Sequence, residues 1–65
     1  MMYAHDNGWF PNGSQYRIIW EKGTHHVIVW DACSDERKEV FTGWYEKCLD
    51  FVENQYISQL EAIIG

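Results

Sequence analysis

Cations are scarce in this chain: five Lys and Arg stand against ten Asp and Glu, a formal charge of −5. Phosphate backbones are held by Lys and Arg, and affinity rises with the number of phosphates neutralised. With no basic run either, direct nucleic-acid binding is not expected. Long apolar runs are also missing. None exceeds a few residues, whereas a membrane-spanning helix needs about 20. The amino terminus has no positive region or apolar core of a signal peptide, so a cytoplasmic setting is expected. Only two cysteines are present, Cys33 and Cys48, which allow one disulfide at most; two reduced thiols are the expectation in that setting. Catalytic signatures are absent as well. There is no Gly-rich phosphate loop, no Gly-x-Ser-x-Gly and no His-Glu-x-x-His, so the chain reads as non-enzymatic, with no cofactor.

Aromatic residues are abundant instead: four Trp, four Tyr and three Phe in 65 residues. A chain of this length buries only about 60% of its unfolded surface. Large side chains that each bury roughly 150–250 Å² help to offset that shortfall. Disordered chains lack such residues, so one folded domain is expected.

Residues 1–14 carry Asn7-Gly8, Pro11 and Asn12-Gly13-Ser14, which are turn formers without periodicity. They read as an irregular amino-terminal arm, followed by a single small α+β domain over residues 15–65. Trp9 and Phe10 are odd in a solvated tail and are expected to fold back onto a sheet. Gln15–Trp20 and His25–Trp30 are rich in aromatic and β-branched residues, as strands are. Lys22-Gly23 between them predicts a two-residue hairpin turn. Glu21 then pairs with Thr24, Trp20 with His25, Ile18 with Val27 and Tyr16 with Val29. Arg17, Ile19, His26, Ile28 and Trp30 occupy the opposite face. A one-residue bulge would swap the faces of one strand.

Asp31–Lys38 is polar and charged, with Ser34-Asp35-Glu36 reading as a turn, and a short third strand follows over Glu39–Thr42. A helix starting at Ser34 is the competing reading, disfavoured because Gly43 inside a helix costs ~1 kcal/mol against Ala. From Trp44 the period becomes helical. Tyr45, Cys48, Leu49, Val52, Tyr56, Gln59, Leu60 and Ile63 form an apolar stripe, with Thr42 as a candidate cap and a break conceivable at Asn54-Gln55. The predicted architecture is a three-stranded antiparallel β-meander packed against one long carboxy-terminal helix.

Each motif has a plain structural reading beside a functional one. His25, His26 and Cys33, with His5 or Cys48 as a fourth ligand, suggest zinc. Yet neighbouring residues on a strand point to opposite faces, so ordinary hairpin contacts are the expectation and no metal is assigned. Cys48 lies on the apolar stripe, where free Cys behaves as a small buried hydrophobe. Cys33 is followed by Ser34, Asp35 and Glu36, the wrong charge for an activated thiolate. Glu46, Asp50 and Glu53 fall at helical spacing away from the stripe and read as a solvated face.

The order strand-strand-strand-helix, with Val40-Phe41-Thr42-Gly43-Trp44 leading into the helix, resembles plant AP2-type DNA-binding domains over roughly residues 16–54. The likeness is one of layout, with no specific motif shared. Those domains use Arg and Trp from the sheet on DNA. Here the first two strands offer only Arg17 and the charge has the opposite sign, so no function is carried over.

A single helix covers one face of a sheet, which leaves Ile19, Ile28 and Trp30 on the other unless Trp9 and Phe10 cover them. Aromatic anchors favour protein–protein contacts. The expected function is therefore a small acidic interaction module that binds a protein partner or itself as a homodimer. Its candidate binding residues are Trp9, Phe10, Arg17, Ile19, Ile28, Trp30, Asp35 and Glu36, together with the helix end. The alternative is a phage-type inhibitor or nucleic-acid charge mimic acting on a restriction or CRISPR nuclease. That reading requires Asp35, Glu36, Glu46, Asp50 and Glu53 to form one acidic stripe.

Overall fold

Lys22 and Gly23 both take positive φ, 54° and 81°, as a two-residue turn that matches the right-handed twist of its strands requires. The turn joins β2 (Gln15–Glu21) to β3 (Thr24–Asp31) in the predicted register, with Tyr16 opposite Val29, Ile18 opposite Val27 and Trp20 opposite His25. The computed structural model describes residues 6–64. His5 and the first residues of the arm lie outside them.

The sheet has four antiparallel strands rather than three, because Asn7–Trp9 forms a further strand, β1, at the edge of β2. Asn7-Gly8, read as a turn signal, is a strand pair for a steric reason. Gly8 lies opposite Tyr16, and a Cβ at Gly8 would stand 2.9 Å from the Tyr16 hydroxyl oxygen. Only glycine lets the β1 backbone approach that ring. The turn itself falls at Phe10–Gly13, where the Gly13 N–H donates to the Phe10 carbonyl at 2.9 Å. Pro11 and Gly13 occupy the turn positions that favour them. Asn12 Oδ1 accepts from the Ser14 N–H and hydroxyl at 2.9 and 2.6 Å, and the Asn12 N–H donates to Gln59 Oε1 at 3.1 Å, tying the loop to the helix.

The last strand, β4 (Glu36–Gly43), is twice the predicted Glu39–Thr42. Its first half, Glu36-Arg37-Lys38-Glu39, is exposed on an outer edge, where charge discourages pairing with other chains and hides the strand from hydrophobic periodicity. A bulge between Val27 and Ile28 in the β3–β4 ladder leaves Val40 without a partner. Beyond it, α1 (Tyr45–Ile64) runs unbroken through Asn54-Gln55. Thr42 is not its cap: the hydroxyl meets His26 within the sheet, and the first turn closes through the Cys48 N–H on the Trp44 carbonyl.

The helix packs on β3 and β4. Cys48 and Val52 meet Tyr16, Ile18 and Val27 to form the core, closed at one end by Phe10. Phe10 and Tyr16 rings are 4.9 Å apart, and Phe41 stacks on Phe51 at the same distance. The Cα trace is only 14 Å deep along its shortest axis, and a third layer would add about 10 Å. One sheet face is therefore left without a covering layer among the described residues.

Candidate functional site

Trp9, Gln15, Trp30 and Arg37 form one row across the open face, because β1, β2, β3 and β4 place them directly opposite one another in turn. The next row is Asn7, Arg17, Ile28 and Glu39. Together with Ile19, the residues of these rows other than Glu39 line a concavity of about 560 Å³, within the range of small-ligand and side-chain pockets. Its walls are two indoles and two aliphatic side chains. Its charged groups are Arg17 and Arg37, the only arginines in the chain, and no carboxylate lines it. Neither guanidinium has an ion-pair partner among the described residues.

Second contacts fix the groups around this concavity. The Trp30 Nε1–H donates to Asp35 Oδ1 at 2.9 Å, which holds the indole from the β3–β4 turn. Asp35 reaches that position at a positive φ of 54°, which Asp tolerates better than most residues. Glu39 is held away from the arginines by His26, whose Nδ1 stands 2.5 Å from Glu39 Oε1. The other ring nitrogen, Nε2, faces the Glu21 carbonyl oxygen at 3.1 Å. Both partners are acceptors, so the imidazolium, with two N–H donors, satisfies both at once. The Glu21 carbonyl first, then the Glu39 carboxylate, raise the His26 pKa above its ordinary 6.5 against the opposing effect of desolvation.

Of the residues proposed from sequence, Trp9, Arg17, Ile19, Ile28 and Trp30 come together on this face. Phe10 points the other way and is 4% exposed, in the core. Asp35 acts on Trp30, and Glu36 lies at the mouth of the β3–β4 turn opposite Asp31. Asn7, Gln15 and Arg37 were not foreseen. Arg37 lies in a polar, charged stretch of sequence, and only the β4 register reveals it beside Trp30.

The remaining candidates separate. His25 projects to the helix side and its ring lies 5.0 Å from both Trp20 and Tyr45, while His26 is on the open face. Among the described residues no group of three or more His, Cys, Asp or Glu is placed to hold a metal ion. Cys33 is exposed and Cys48 buried, both as free thiols, and burial pushes the Cys48 thiol pKa up. The Tyr45 hydroxyl donates to Asp6, whose carboxylate opposes ionisation of the phenol and raises its pKa. Asp35 and Glu36 stand at one end of β4 and Glu46 beyond the other, separated by the length of the strand, on the order of 25 Å.

Two further apolar exposures lie elsewhere. Trp20 and Trp44 are 64% and 81% exposed near the start of α1, and Ile63 and Ile64 are exposed in its last turn. No helix among the described residues is long and apolar enough to cross a membrane. No family model, curated protein or solved structure matches the chain.

Proposed function

We propose that this chain is a small non-catalytic interaction module, acidic overall, that engages a protein partner through the open sheet face. One observation carries the reading: Trp9, Ile19, Ile28 and Trp30 share a concave face that neither the helix nor Phe10 covers. Large aromatics gathered in a pocket with Arg are the usual anchors of protein interfaces. The exposed isoleucines at the end of α1 offer a second, smaller contact. The charge-mimic alternative draws less support, because its five carboxylates are spread along β4 and α1 and Asp35 is engaged by Trp30.

The test is association measured with and without the face. Sedimentation over a range of concentrations reads self-association, and affinity capture from lysate reads a heterologous partner. Trp9→Ala and Arg17→Ala, both at exposed positions, are expected to abolish whichever association the native chain shows. An association that both variants retain in full overturns the open face as the interface.

A further inference from the structure

We infer that the occupant of the open face is an acidic segment of a partner protein, seated by one aromatic side chain between Trp9 and Trp30 with its carboxylates on Arg17 and Arg37. The inference rests on the interaction-module reading and names the chemistry of the partner. Its starting point is the row Trp9–Gln15–Trp30. The two tryptophans are two strands apart with Gln15 between them. At about 4.8 Å per strand their Cα atoms are about 10 Å apart. An aromatic ring in van der Waals contact on both sides needs about 7–8 Å between the flanking planes. The strand spacing therefore leaves room for one ring between the two side chains. Gln15 forms the floor of this slot, and Trp30 is braced by Asp35 at 2.9 Å, so one wall is already fixed before a ligand arrives.

Charge decides which kind of ring-bearing ligand belongs there. Arg37 flanks the slot beside Trp30 and Arg17 lies one row along, while the only carboxylate in those two rows, Glu39, is committed to His26. In a chain of net charge −5, the lining of this concavity carries two guanidinium groups and no carboxylate, with Asp35 and Glu39 engaged at its edge by Trp30 and His26. A cationic ligand is repelled by both guanidinium groups, and face-to-face pairing of two copies sets arginines against arginines. A single-stranded nucleic acid matches the slot but not the count of cations. Two arginines neutralise about two phosphates, and the rest of the surface repels one further charge per nucleotide. A peptide with one aromatic residue and one or two neighbouring carboxylates makes the same local contacts without that long-range repulsion.

The experiment titrates the full chain with four probes: a short capped peptide carrying one Phe flanked by Asp and Glu, the same peptide with Phe→Ala, its counterpart with Lys at the acidic positions, and an oligothymidylate. Binding is read from the indole N–H and backbone amide NMR signals. The acidic Phe peptide is expected to shift Trp9, Gln15 and Trp30. Affinity should fall at least about tenfold on Trp9→Ala, as for an interface anchor, and also with Arg17→Glu or Arg37→Glu and with added salt. The Phe→Ala and Lys peptides are expected not to bind, and Trp44→Ala, away from the slot, should leave affinity unchanged. Native-like spectra of every variant exclude unfolding as the cause of a loss. Failure of the acidic Phe peptide to bind overturns the inference. If oligothymidylate then binds in its place, the protein-partner reading falls with it. If instead the chain self-associates through residues of this face, the interaction reading stands and only the acidic occupant is lost.

Discussion

Gly8 shows how a single missing side chain sets the edge of the sheet. Its α-carbon lies over the Tyr16 ring, and even a methyl group there would stand 2.9 Å from the hydroxyl oxygen and 3.1 Å from ring carbons. Gly8→Val must push Tyr16 out of the core or lift β1 off β2. Overpacking of this kind costs about 1–3 kcal/mol, to be read as a lowered urea midpoint. His26 is the second decisive residue. Its folded pKa is raised above the unfolded 6.5 by the Glu21 carbonyl and the Glu39 carboxylate. The group therefore adds stability that is fully present below pH 6.5 and is lost as pH rises through the folded value. Urea midpoints of the native chain and of His26→Gln are expected to differ most at acidic pH, still above the ordinary range of Glu, and to converge as pH rises. A gap that widens with pH refutes the charged-histidine pairing.

At the scale of elements, the bulge in β4 has the largest consequences. Strict alternation puts Arg37, Glu39 and Phe41 on one face. The unpaired Val40 breaks that parity, so Phe41 packs toward the helix opposite Val27 while Glu39 and Arg37 remain on the open face opposite Ile28 and Trp30. Without the bulge, one strand cannot both fill the core and carry its arginine to the slot. The β2–β3 hairpin has its own local tension at Lys22, a non-glycine residue at φ 54°. Lys22→Asn substitutes a residue that visits the left-handed region readily. A gain of about 0.5–1 kcal/mol is expected from the reduced strain, measured by chemical denaturation. An unchanged midpoint would mean that the turn stores no strain there.

The whole molecule is one helix on one sheet, and such a thin assembly depends on each large core residue. Phe10 closes the end of the core beside Tyr16 from a loop that Asn12 ties to Gln59. Phe10→Ala removes about 3–5 kcal/mol of packing, as much as a core this small usually supplies in total. Loss of cooperative thermal unfolding, followed by circular dichroism, is the expected outcome. The same thinness leaves one sheet face without a covering layer among the described residues.

The sequence by itself determined the local elements whose signals are local. The Lys22-Gly23 turn, the register it imposes on β2 and β3, and the helical stripe through Cys48 and Val52 follow from φ preferences and periodicity within short windows. Arg17, Ile19, Ile28 and Trp30 were legible as site candidates for the same reason. Tertiary structure decided the rest. Asn7-Gly8 carries a turn signal, and only the approach of β1 to the Tyr16 ring makes it a strand. Trp9 and Phe10 are neighbours in sequence, yet strand pairing sends one to the open face and the other to the core. Arg37 lies in a charged run without periodicity, and its place beside Trp30 depends on a β3–β4 pairing with a bulge at Val40. Each of these outcomes rests on contacts between residues distant along the chain, whose energies no local window of sequence contains.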